Sequence, residues 1–417
     1  MVEPSGKRLA FECLLRIYIL TVQSEIWCKR NPMLNVKKLP FEEQAQCAAY
    51  MRATHNMSQS EIGEALGGLS QPHVSRLLKH AEKRNFLVIE QRFAKELFDA
   101  EWIRKMDDLL APSDLTASLD KYCIKEGVTR PRVSVLESGP GNTDAALAQR
   151  RARFGRMASG RLIELIGGSN VVGVAWGKTV KSVVDGIMAS RQPLDRSNQT
   201  VFAAVCAELV SLAQHGHSAS RLADTLDELF NTAQEEAPQL TGFPAYVPRH
   251  YDETMQRSIR QFISDTPGYQ RVFSGPEALV NRMDMLITSL GSSKSPVLGS
   301  FDELVQAAGI RANDLRQLVV GDVGGILLPR SGLSHAKAAL VDELNGLWTG
   351  IKIGHLNAIA DRAAENPEMA GVVVVALQAE RGDTIFELIR RGLVNELIID
   401  HMAAERLQII VADQLNN

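Results

Sequence analysis

The segment Ser58-Gln-Ser-Glu-Ile-Gly-Glu-Ala-Leu-Gly-Gly-Leu-Ser-Gln-Pro-His-Val-Ser-Arg-Leu-Leu78 sets the local structure near the start of this chain. Ser58 and Glu61 have the spacing of a capping box, which predicts that a short helix begins here. The Gly67-Gly68 pair predicts a tight turn, because glycine reaches a positive φ without steric cost. Ser70-Gln-Pro72 then predicts a second helix, with serine as the N-cap and proline in the first turn. This order is typical of a helix-turn-helix.

The second helix has an apolar face and a polar, basic face. Val74, Leu77, Leu78 and Ala81 recur at helical spacing and are expected to face inward. The opposite face is rich in hydrogen-bond donors, which can contact bases near the helix start and phosphates farther along. We predict that the DNA-contacting residues are Ser70, Gln71, His73, Ser75, Arg76, Lys79 and Lys83. Within this set Gln71, His73 and Arg76 are assigned to base edges, and Ser75, Lys79 and Lys83 to phosphates. The alternative is a surface helical hairpin with a solvated face.

Composition sets the class of protein. A chain of 417 residues is long enough for two or three domains, and 45% hydrophobic with 23% charged residues is typical of a soluble globular protein. The net charge is only -3, so any affinity for double-stranded DNA must come from a local patch. The five scattered cysteines include no Cys-x-x-Cys pair, which indicates reduced thiols. Arg16 interrupts the apolar run Cys13–Val22, and no apolar run reaches roughly 18 residues, so we expect no signal peptide and a cytoplasmic protein without a membrane contact.

Breakers and periodicity divide the chain into four segments. The predicted segments are an extension over 1–40 with a helix over 7–29, a helix-turn-helix domain over 41–92, a linker helix over 93–110, and an effector-binding and oligomerisation domain over 111–417. In the second segment we predict helices over Phe41–His55, Ser58–Leu66 and Gln71–Asn85, and a wing strand over Phe86–Gln91.

Beyond residue 111 short apolar strands alternate with amphipathic helices. The β-branched run Val372–Val375 is typical of a strand buried on both faces, which indicates a mostly parallel sheet covered by helices, and hence an α/β domain. The predicted strands are Arg132–Leu136, Val171–Ala175, Thr200–Ala204, Ala245–Val247, Met285–Ser289, Val319–Val320, Lys352–Gly354, Val372–Leu377 and Glu396–Ile399. The predicted helices include Asp144–Ile166, Thr179–Ala189, Ser220–Thr232 and Thr384–Arg391.

Ligands of open α/β sheets lie beyond the carboxyl ends of the strands, and the loop Gly173–Thr179 has that position. The backbone N–H groups of Gly177, Lys178 and Thr179 are expected to open a helix and form an anion site. The loop is not a P-loop, because Val172 stands where that motif needs a glycine. The alternative is a plain helix cap with Trp176 in the core.

Two further loops are candidates for the same site. In Gly321–Leu328, glycines flank Asp322, whose carboxylate could accept hydrogen bonds from hydroxyl groups; a plain turn is the alternative. After the strand Val372–Leu377, Arg381 could bind a phosphate as a bidentate donor, and a solvated charged loop is the alternative. The pair of histidines in Gln214–His217 lacks a third ligand, so we interpret it as a surface loop. We predict no catalytic residues, no metal and no cofactor.

These motifs together resemble the SorC family of bacterial transcriptional regulators. The resemblance is carried by Met57–Ile62, Ser70–Lys79, Val172–Thr179, Gly321–Gly325, Arg330–Leu333 and Arg391–Asp400. It implies a winged helix-turn-helix followed by a large domain related in fold to phosphosugar isomerases, which binds a sugar or sugar phosphate without turning it over. By this resemblance Trp176, Gly177, Lys178 and Thr179 hold the anionic end of the effector, and Asp322 holds its hydroxyls. Members of the family commonly act as homodimers or homotetramers.

The chain departs from the family pattern at the third loop. The family's Gly-Gly-x-x-Lys is here Leu377-Gln-Ala-Glu-Arg381, which keeps the charge but changes its geometry and narrows the space for a ligand. The turn Leu66–Ser70 also has one residue more than usual. We therefore predict a DNA-binding regulator switched by a sugar or sugar phosphate. The alternatives are a phosphosugar isomerase-like enzyme, with Asp322 as its base, and a constitutive DNA-binding regulator with a degenerate pocket.

Overall fold

The computed structural model describes residues 39–55, 57–84, 87, 113–139, 143–190, 199–207, 217–231, 238, 240–295 and 300–416. The chain divides into two compact units, Met1–Ala94 and Lys95–Asn417. The predicted helix over 7–29, the wing strand apart from Leu87, and the linker helix lie outside the described residues. None of the described helices has the length and apolar character needed to cross a membrane.

The described residues of the first unit form three helices: α1 (Phe41–His55), α2 (Gln59–Ala65) and α3 (Gln71–Lys83). The three predicted helices are confirmed, with ends that differ by no more than two residues. Their facing sides bury one small apolar cluster, which comprises Ala45, Ala48, Ala49, Ile62, Leu66, Val74, Leu77, Leu78, Ala81 and Leu87. At the surface, Arg84 just after α3 forms an ion pair of 2.7 Å with Glu42 of α1.

Among the described residues, the second unit is built on a six-stranded sheet of β1 (Arg132–Leu136), β2 (Val171–Val174), β3 (Val201–Ala204), β4 (Met285–Thr288), β7 (Gly371–Ala376) and β8 (Glu396–Asp400). The strand order is β1-β8-β7-β4-β2-β3, and every strand pair is parallel. A separate antiparallel hairpin consists of β5 (Val319–Val323) and β6 (Ile326–Pro329). The predicted α/β class with a parallel sheet is confirmed.

Helices alternate with these strands along the chain. They are α4 (Ser113–Glu126), α5 (Asp144–Gly167), α6 (Lys178–Ala189), α7 (Ala219–Phe230), α8 (Glu253–Asp265), α9 (Pro267–Phe273), α10 (Leu279–Arg282), α11 (Ser300–Ala308), α12 (Ala312–Leu318), α13 (His335–Leu347), α14 (Ile353–Glu365), α15 (Gly382–Arg390) and α16 (His401–Asn416).

The sheet is buried on both faces. Val373 and Val375 of β7 pack into one apolar cluster with residues of α5, α6 and α7. Val372 and Val374 of the same strand pack into a second cluster, which includes residues of α4, α14, α15 and α16. Alternate residues of a strand point to opposite faces, so the uninterrupted valine run reflects two covered faces.

Two of the predicted strands are wrong, and one observed strand was not predicted. Ala245–Val247 forms no strand and contributes only a single bridge between Tyr246 and Trp348. Lys352–Gly354 instead begins α14, whose buried residues Leu356, Ile359, Ala360 and Ala363 recur at helical spacing. Strand β6 was not predicted. Gly324 and Gly325 have φ values of +55° and +90°, and such a pair closes a two-residue hairpin turn.

Candidate functional sites

The helix-turn-helix is capped as its sequence predicts. The Ser58 hydroxyl accepts a hydrogen bond from the Glu61 backbone N–H (3.3 Å), and the Glu61 carboxylate accepts one from the Ser58 backbone N–H (2.7 Å). Hydrogen bonds to the Glu61 carboxylate from the Ser58 backbone N–H and from the Ser58 side chain lower the pKa of Glu61. Gly67 and Gly68 have φ values of +88° and +78°, so the turn uses the left-handed conformations that favour glycine.

Gly63 allows the turn to fold back onto α2. Its carbonyl oxygen accepts hydrogen bonds from the backbone N–H groups of Gly68 (2.9 Å) and Leu69 (2.8 Å). A Cβ atom at position 63 would collide with the Leu69 carbonyl oxygen, so a larger residue would push the turn outward. The angle between α2 and α3 therefore depends on this glycine.

Helix α3 has the two faces that its sequence predicts. Val74, Leu77, Leu78 and Ala81 are buried. On the opposite side five of the seven predicted DNA-contacting residues are exposed, and Ser75 and His73 are half-buried; the exposed residues are Ser70, Gln71, Arg76, Lys79 and Lys83. Within the described part of the chain, Arg76, Lys79 and Lys83 have no carboxylate partner. Ser70 occupies the N-cap position without a side-chain capping bond.

His73 differs from its neighbours because its side chain is held against α1. Its Nε2 atom lies 3.3 Å from the Gln44 side-chain oxygen, and its ring meets Phe41 edge-on with centroids 6.0 Å apart. Gln44 is buried and also donates to the Leu39 carbonyl oxygen (2.9 Å). His73 therefore fixes the position of α3 on α1, in addition to the base contact that we predicted for it.

The second candidate site lies where the strand order reverses. After β2 the chain proceeds outward to β3, whereas β4, β7 and β8 follow one another in the opposite direction. In open α/β sheets ligands bind beyond the carboxyl ends of the strands at such a reversal. Here that place lies between the ends of β2 and β4. We call it the sheet-edge site; it comprises residues 175–179, 289–293, Asp322 and 378–381.

The loop after β2 requires glycine at position 177. Gly177 has a φ of +143°, and a Cβ atom on it would collide with the Ser289 hydroxyl. Its N–H donates to the His217 carbonyl oxygen (3.2 Å). Of the three N–H groups that we predicted to bind an anion, the one on Gly177 is therefore already hydrogen-bonded within the protein. Lys178 and Thr179 begin α6 as predicted, with the Lys178 side chain exposed. Trp176 is half-buried, and its indole Nε1 atom is buried with no partner in the described part of the chain.

Asp322 reaches the same edge from the β5–β6 hairpin rather than from a loop that enters a helix. Its side chain is buried, and one carboxylate oxygen accepts a hydrogen bond from the Gly325 N–H (3.2 Å). The Gly291 N–H, after β4, donates to the Asp322 carbonyl oxygen (3.0 Å). A Cβ atom on Gly291 would collide with the Asp322 carboxylate, so this glycine allows the hairpin to approach the end of β4.

The loop after β7 holds a strained residue. Gln378 has a φ of +82°, the only positive value among the non-glycine residues that the structure describes. Its N–H donates to the Asp400 carboxylate (3.0 Å). The resemblance places a glycine here, and the chain keeps a conformation that favours glycine although the residue is glutamine. A 3-10 turn over Ala379–Arg381 follows, and then α15.

Arg381 is directed inward and is not part of a solvated loop. Its Nη1 atom is buried without a hydrogen-bond partner in the described part of the chain. Burial lowers the pKa of its guanidinium, and the positive charge of Arg151 acts in the same direction, whereas Glu380 and Asp322 oppose them. Asp383, two residues on, instead pairs with Lys294 (2.8 Å) and Arg406 (3.2 Å).

Sequence reasoning did not assign two residues to this site: Arg151 of α5, whose charge acts on Arg381, and His217, whose carbonyl oxygen accepts the hydrogen bond from Gly177. Although Gln214–His217 was interpreted as a surface loop, His217 is buried; the other three residues lie outside the described part of the chain. Burial lowers the pKa of His217, and the charges of Lys178, Lys181 and Arg151 lower it further. Among the described residues, no group of three potential metal ligands is found.

A network around Asp400 adjoins the site. Asp400 ends β8 and forms a buried ion pair of 2.6 Å with Arg150 of α5. Ser138, after β1, donates to the same carboxylate oxygen of Asp400 (2.9 Å) and accepts a hydrogen bond from Arg150 (3.2 Å). The other oxygen of Asp400 accepts from the N–H groups of Gln378 and Ala403, each at 3.0 Å. Strand β8, helix α5 and the loop after β7 are thus joined through one carboxylate.

No family model and no curated protein matches this chain. Among solved structures, the chain is similar to the full-length sorbitol operon regulator SorC from Klebsiella pneumoniae, with 16% identity and a TM-score of 0.49 over 88% of this chain and 98% of that one. It is also similar to a DeoR family transcriptional regulator from Listeria monocytogenes (15% identity, TM-score 0.49, 70% and 99% covered). A third similar structure is the probable sor operon regulator from Shigella flexneri (16% identity, TM-score 0.47, 70% and 98% covered). Each of these three proteins is named as a regulator.

Proposed function

We propose that this protein is a ligand-responsive DNA-binding regulator of transcription. Helix α3 binds double-stranded operator DNA, and a sugar or sugar phosphate binds at the sheet-edge site and changes the affinity for the operator. The protein acts as a homodimer or homotetramer, because one α3 covers a single half-site, and paired half-sites lie about one helical turn, roughly 34 Å, apart. The effector is bound without being turned over.

The division of α3 into two faces carries this proposal. Its apolar residues are all buried against α1 and α2, so the opposite face is presented outward by a rigid three-helix unit. That face offers Gln71 and Arg76 at the first two turns, and Lys79 and Lys83 beyond them. Arginine and glutamine form bidentate hydrogen bonds with base edges, and lysine binds phosphates as a point charge. A merely solvated face does not require this order of side chains.

The sheet-edge site supports the effector half of the proposal. It combines the first turn of α6, the buried carboxylate of Asp322 and the inward-directed guanidinium of Arg381. A helix N-terminus and a guanidinium attract an anion, and a carboxylate accepts hydrogen bonds from sugar hydroxyls. These groups are contributed by separate segments, namely two loops of the parallel sheet and the β5–β6 hairpin.

The DNA half can be tested with a random pool of duplexes, which makes the operator sequence a result of the experiment. Full-length protein is used to select bound duplexes from the pool, and affinity for a selected duplex is measured by fluorescence anisotropy over a range of salt concentrations. Arg76→Ala is expected to remove the preference for the selected sequence over a scrambled one. Lys79→Ala should weaken both and reduce the slope of log affinity against log salt by about 0.9, because one phosphate contact is lost.

Arg84→Ala is the matched control for these variants. It also removes one positive charge, but at the residue that follows α3. Arg84 is exposed and already paired with Glu42, so we expect unchanged DNA binding. If the pool yields no selected sequence, or if Arg76→Ala binds the selected duplex as the parent does, the proposed DNA interface is wrong.

The effector half is tested by thermal denaturation of the full-length protein in a panel of sugars, polyols and sugar phosphates. A ligand at 100 times its dissociation constant stabilises the protein by about 2.7 kcal/mol, which raises the melting midpoint by a few degrees. Selective stabilisation that is lost in Lys178→Ala supports the site, and chemical conversion of the ligand would favour an isomerase-like enzyme. If no member of the panel acts, a constitutive regulator with a degenerate pocket is favoured.

A further inference from the structure

We propose that Arg151 and Arg381 form an oxyanion subsite, in which two guanidinium groups bind one phosphoryl or carboxylate group of the effector. The inference rests on effector binding at the sheet-edge site and adds a residue, Arg151, that neither the motifs nor the resemblance assigns. It also names the part of the ligand that this end of the site accepts.

The two arginines come from distant parts of the chain, and both lie on segments that follow the carboxyl ends of strands of the parallel sheet. Arg151 lies near the start of α5, which begins at the carboxyl edge of the sheet because it follows β1. Arg381 lies just before α15, after β7. Their positive charges are close enough that Arg151 contributes to the lowered pKa of Arg381. Burial by itself lowers the pKa of Arg151.

Both guanidinium groups lack a partner among the residues that the structure describes. Arg381 has a fully buried Nη1 atom without a hydrogen bond, and Arg151 is half-buried without a hydrogen bond or ion pair in that part of the chain. A buried cation is costly unless it is paired, and two cations close together are costlier still. An oxyanion between them removes both costs, because each guanidinium can form two parallel hydrogen bonds to it.

The charges nearby reinforce the choice of an anion. Lys178 begins α6, where the helix dipole already favours negative charge. Lys178, Lys181 and Arg151 all act on the buried His217, so several positive charges surround this point. Lys181 is partly neutralised by Asp185 (2.6 Å), whereas Lys178 has no such partner in the described part of the chain. The local potential therefore favours an oxyanion over a neutral hydroxyl.

The Asp400 network joins the two segments that carry these arginines. Its carboxylate holds Arg150, the residue before Arg151, and the N–H of Gln378, three residues before Arg381. Arg150 and Asp400 are only 2% and 0% exposed, so this pair is rigidly enclosed. A site whose groups are ordered before the ligand arrives loses less entropy on binding. Asp400 is thus a positioning residue, and the strain at Gln378 is maintained by its hydrogen bond.

The test is a calorimetric titration of the full-length protein with inorganic phosphate, and separately with acetate, at constant ionic strength set by chloride. We expect phosphate or acetate to bind, and the stronger of the two identifies the oxyanion. Arg151→Gln and Arg381→Gln should each weaken that binding about tenfold or more. The double variant should lose less than the product of the two single effects, because both residues bind the same group. Arg311→Gln, which removes an exposed guanidinium paired with Asp314, should bind as the parent does.

The melting midpoint of the ligand-free protein separates a binding role from a structural one. Since Arg151 has no partner among the described residues and is repelled by Arg381, Arg151→Gln should melt at the same temperature as the parent or higher. A clearly lower midpoint, together with weakened binding, would mean that Arg151 is structural and would overturn the proposal.

Two further results would overturn the subsite. One is that Arg151→Gln retains the parent's anion affinity; the other is that the parent binds neither phosphate nor acetate. The second result leaves the proposed function intact if a neutral sugar still stabilises the protein. Conversely, if no duplex is selected from the DNA pool, the anion titrations still test the subsite. Failure of the subsite and failure of the proposed function can therefore be distinguished.

Discussion

The polar face of α3 and the sheet-edge site both carry unpaired positive charge among the described residues, but they differ in how that charge is placed. On α3 the basic side chains are exposed, and each is positioned by its own helix. At the sheet edge, Arg381 is directed inward. Its loop is held by a hydrogen bond from the Gln378 N–H to Asp400, which lies at the end of β8. An exposed basic face suits a large, uniformly charged partner such as DNA, whereas buried guanidinium groups suit a small anion that can be enclosed. Under the proposed function, the two units would therefore recognise negative charge on partners of very different size.

The largest effect is expected when the buried Arg150–Asp400 ion pair next to the sheet-edge site is broken. Asp400→Ala leaves the Arg150 guanidinium buried and unpaired, which is expected to lower the free energy of unfolding by about 3–5 kcal/mol. Urea denaturation followed by circular dichroism measures the change. Asp185→Ala is the control, because it breaks the exposed pair with Lys181 and should cost less than about 1 kcal/mol. Similar losses in both variants would show that the Asp400 network is not a fixed element.

A smaller loss is expected at the turn before α6. Gly177→Ala forces a side chain into a conformation that is essentially restricted to glycine and into contact with Ser289, so we expect a cost of about 1–3 kcal/mol. Gly346→Ala on α13, where a Cβ atom meets nothing, should instead stabilise the protein by up to about 1 kcal/mol. The two variants together report on the loop alone. An unchanged stability for Gly177→Ala would mean that the loop is not held in this conformation.

Gln378→Gly should produce a small gain. Removing the side chain relieves a left-handed conformation worth about 1–2 kcal/mol, and the extra freedom of glycine in the unfolded chain offsets about 0.4–1 kcal/mol of that. We therefore expect the free energy of unfolding to rise by about 0.5 kcal/mol. Gln261→Gly within α8, where the conformation is helical, should lose about 1 kcal/mol. Equal losses at both positions would contradict the strain assigned to Gln378.

The least pronounced effect is a dependence of stability on pH through His217. Burial and nearby cations lower its pKa in the folded protein below the ordinary value of about 6.5, so the unfolded chain binds a proton more readily. The contribution of neutral His217 to the free energy of unfolding should therefore be fully present above about pH 6.5 and should decline as the pH falls below that value. His217→Asn should reduce this decline when urea midpoints are compared between about pH 7.5 and about pH 5.5. His335→Asn, at the exposed start of α13, is the control, and an unchanged decline in His217→Asn would contradict the assignment.

The two regions also differ in how far their structure could be predicted from the sequence. Helix α3 and its turn follow from signals within a few residues: the capping box at Ser58, the two glycines and the spacing of Val74, Leu77 and Leu78. Strand β7 was equally clear, because its valine run records burial on both faces. In each case the structure follows from interactions within the segment or from the residue types that the segment contains.

The sheet-edge site was predicted only in part, because its geometry depends on contacts between distant segments. Trp176–Thr179 was located from the local strand-to-helix pattern, but nothing in that pattern shows that the Gly177 N–H is bonded to His217. The role of Arg151 depends on Arg150 pairing with Asp400, which lies 250 residues farther along the chain. The strand predicted over Lys352–Gly354 was wrong for a related reason. Isoleucines on either side of Lys352 have strand spacing, but the buried apolar residues of α14, which make this segment helical, begin just beyond them.

The most direct test of the central claim is whether the two units affect each other's binding. Operator affinity of the full-length protein is measured by anisotropy with and without the ligand that stabilises it, and ligand affinity is measured by calorimetry with and without operator. A regulator of the proposed kind requires that the ligand change operator affinity, and that the operator change ligand affinity by the same factor. If both partners bind and neither affinity changes, the protein is not switched by that ligand, and the account is contradicted.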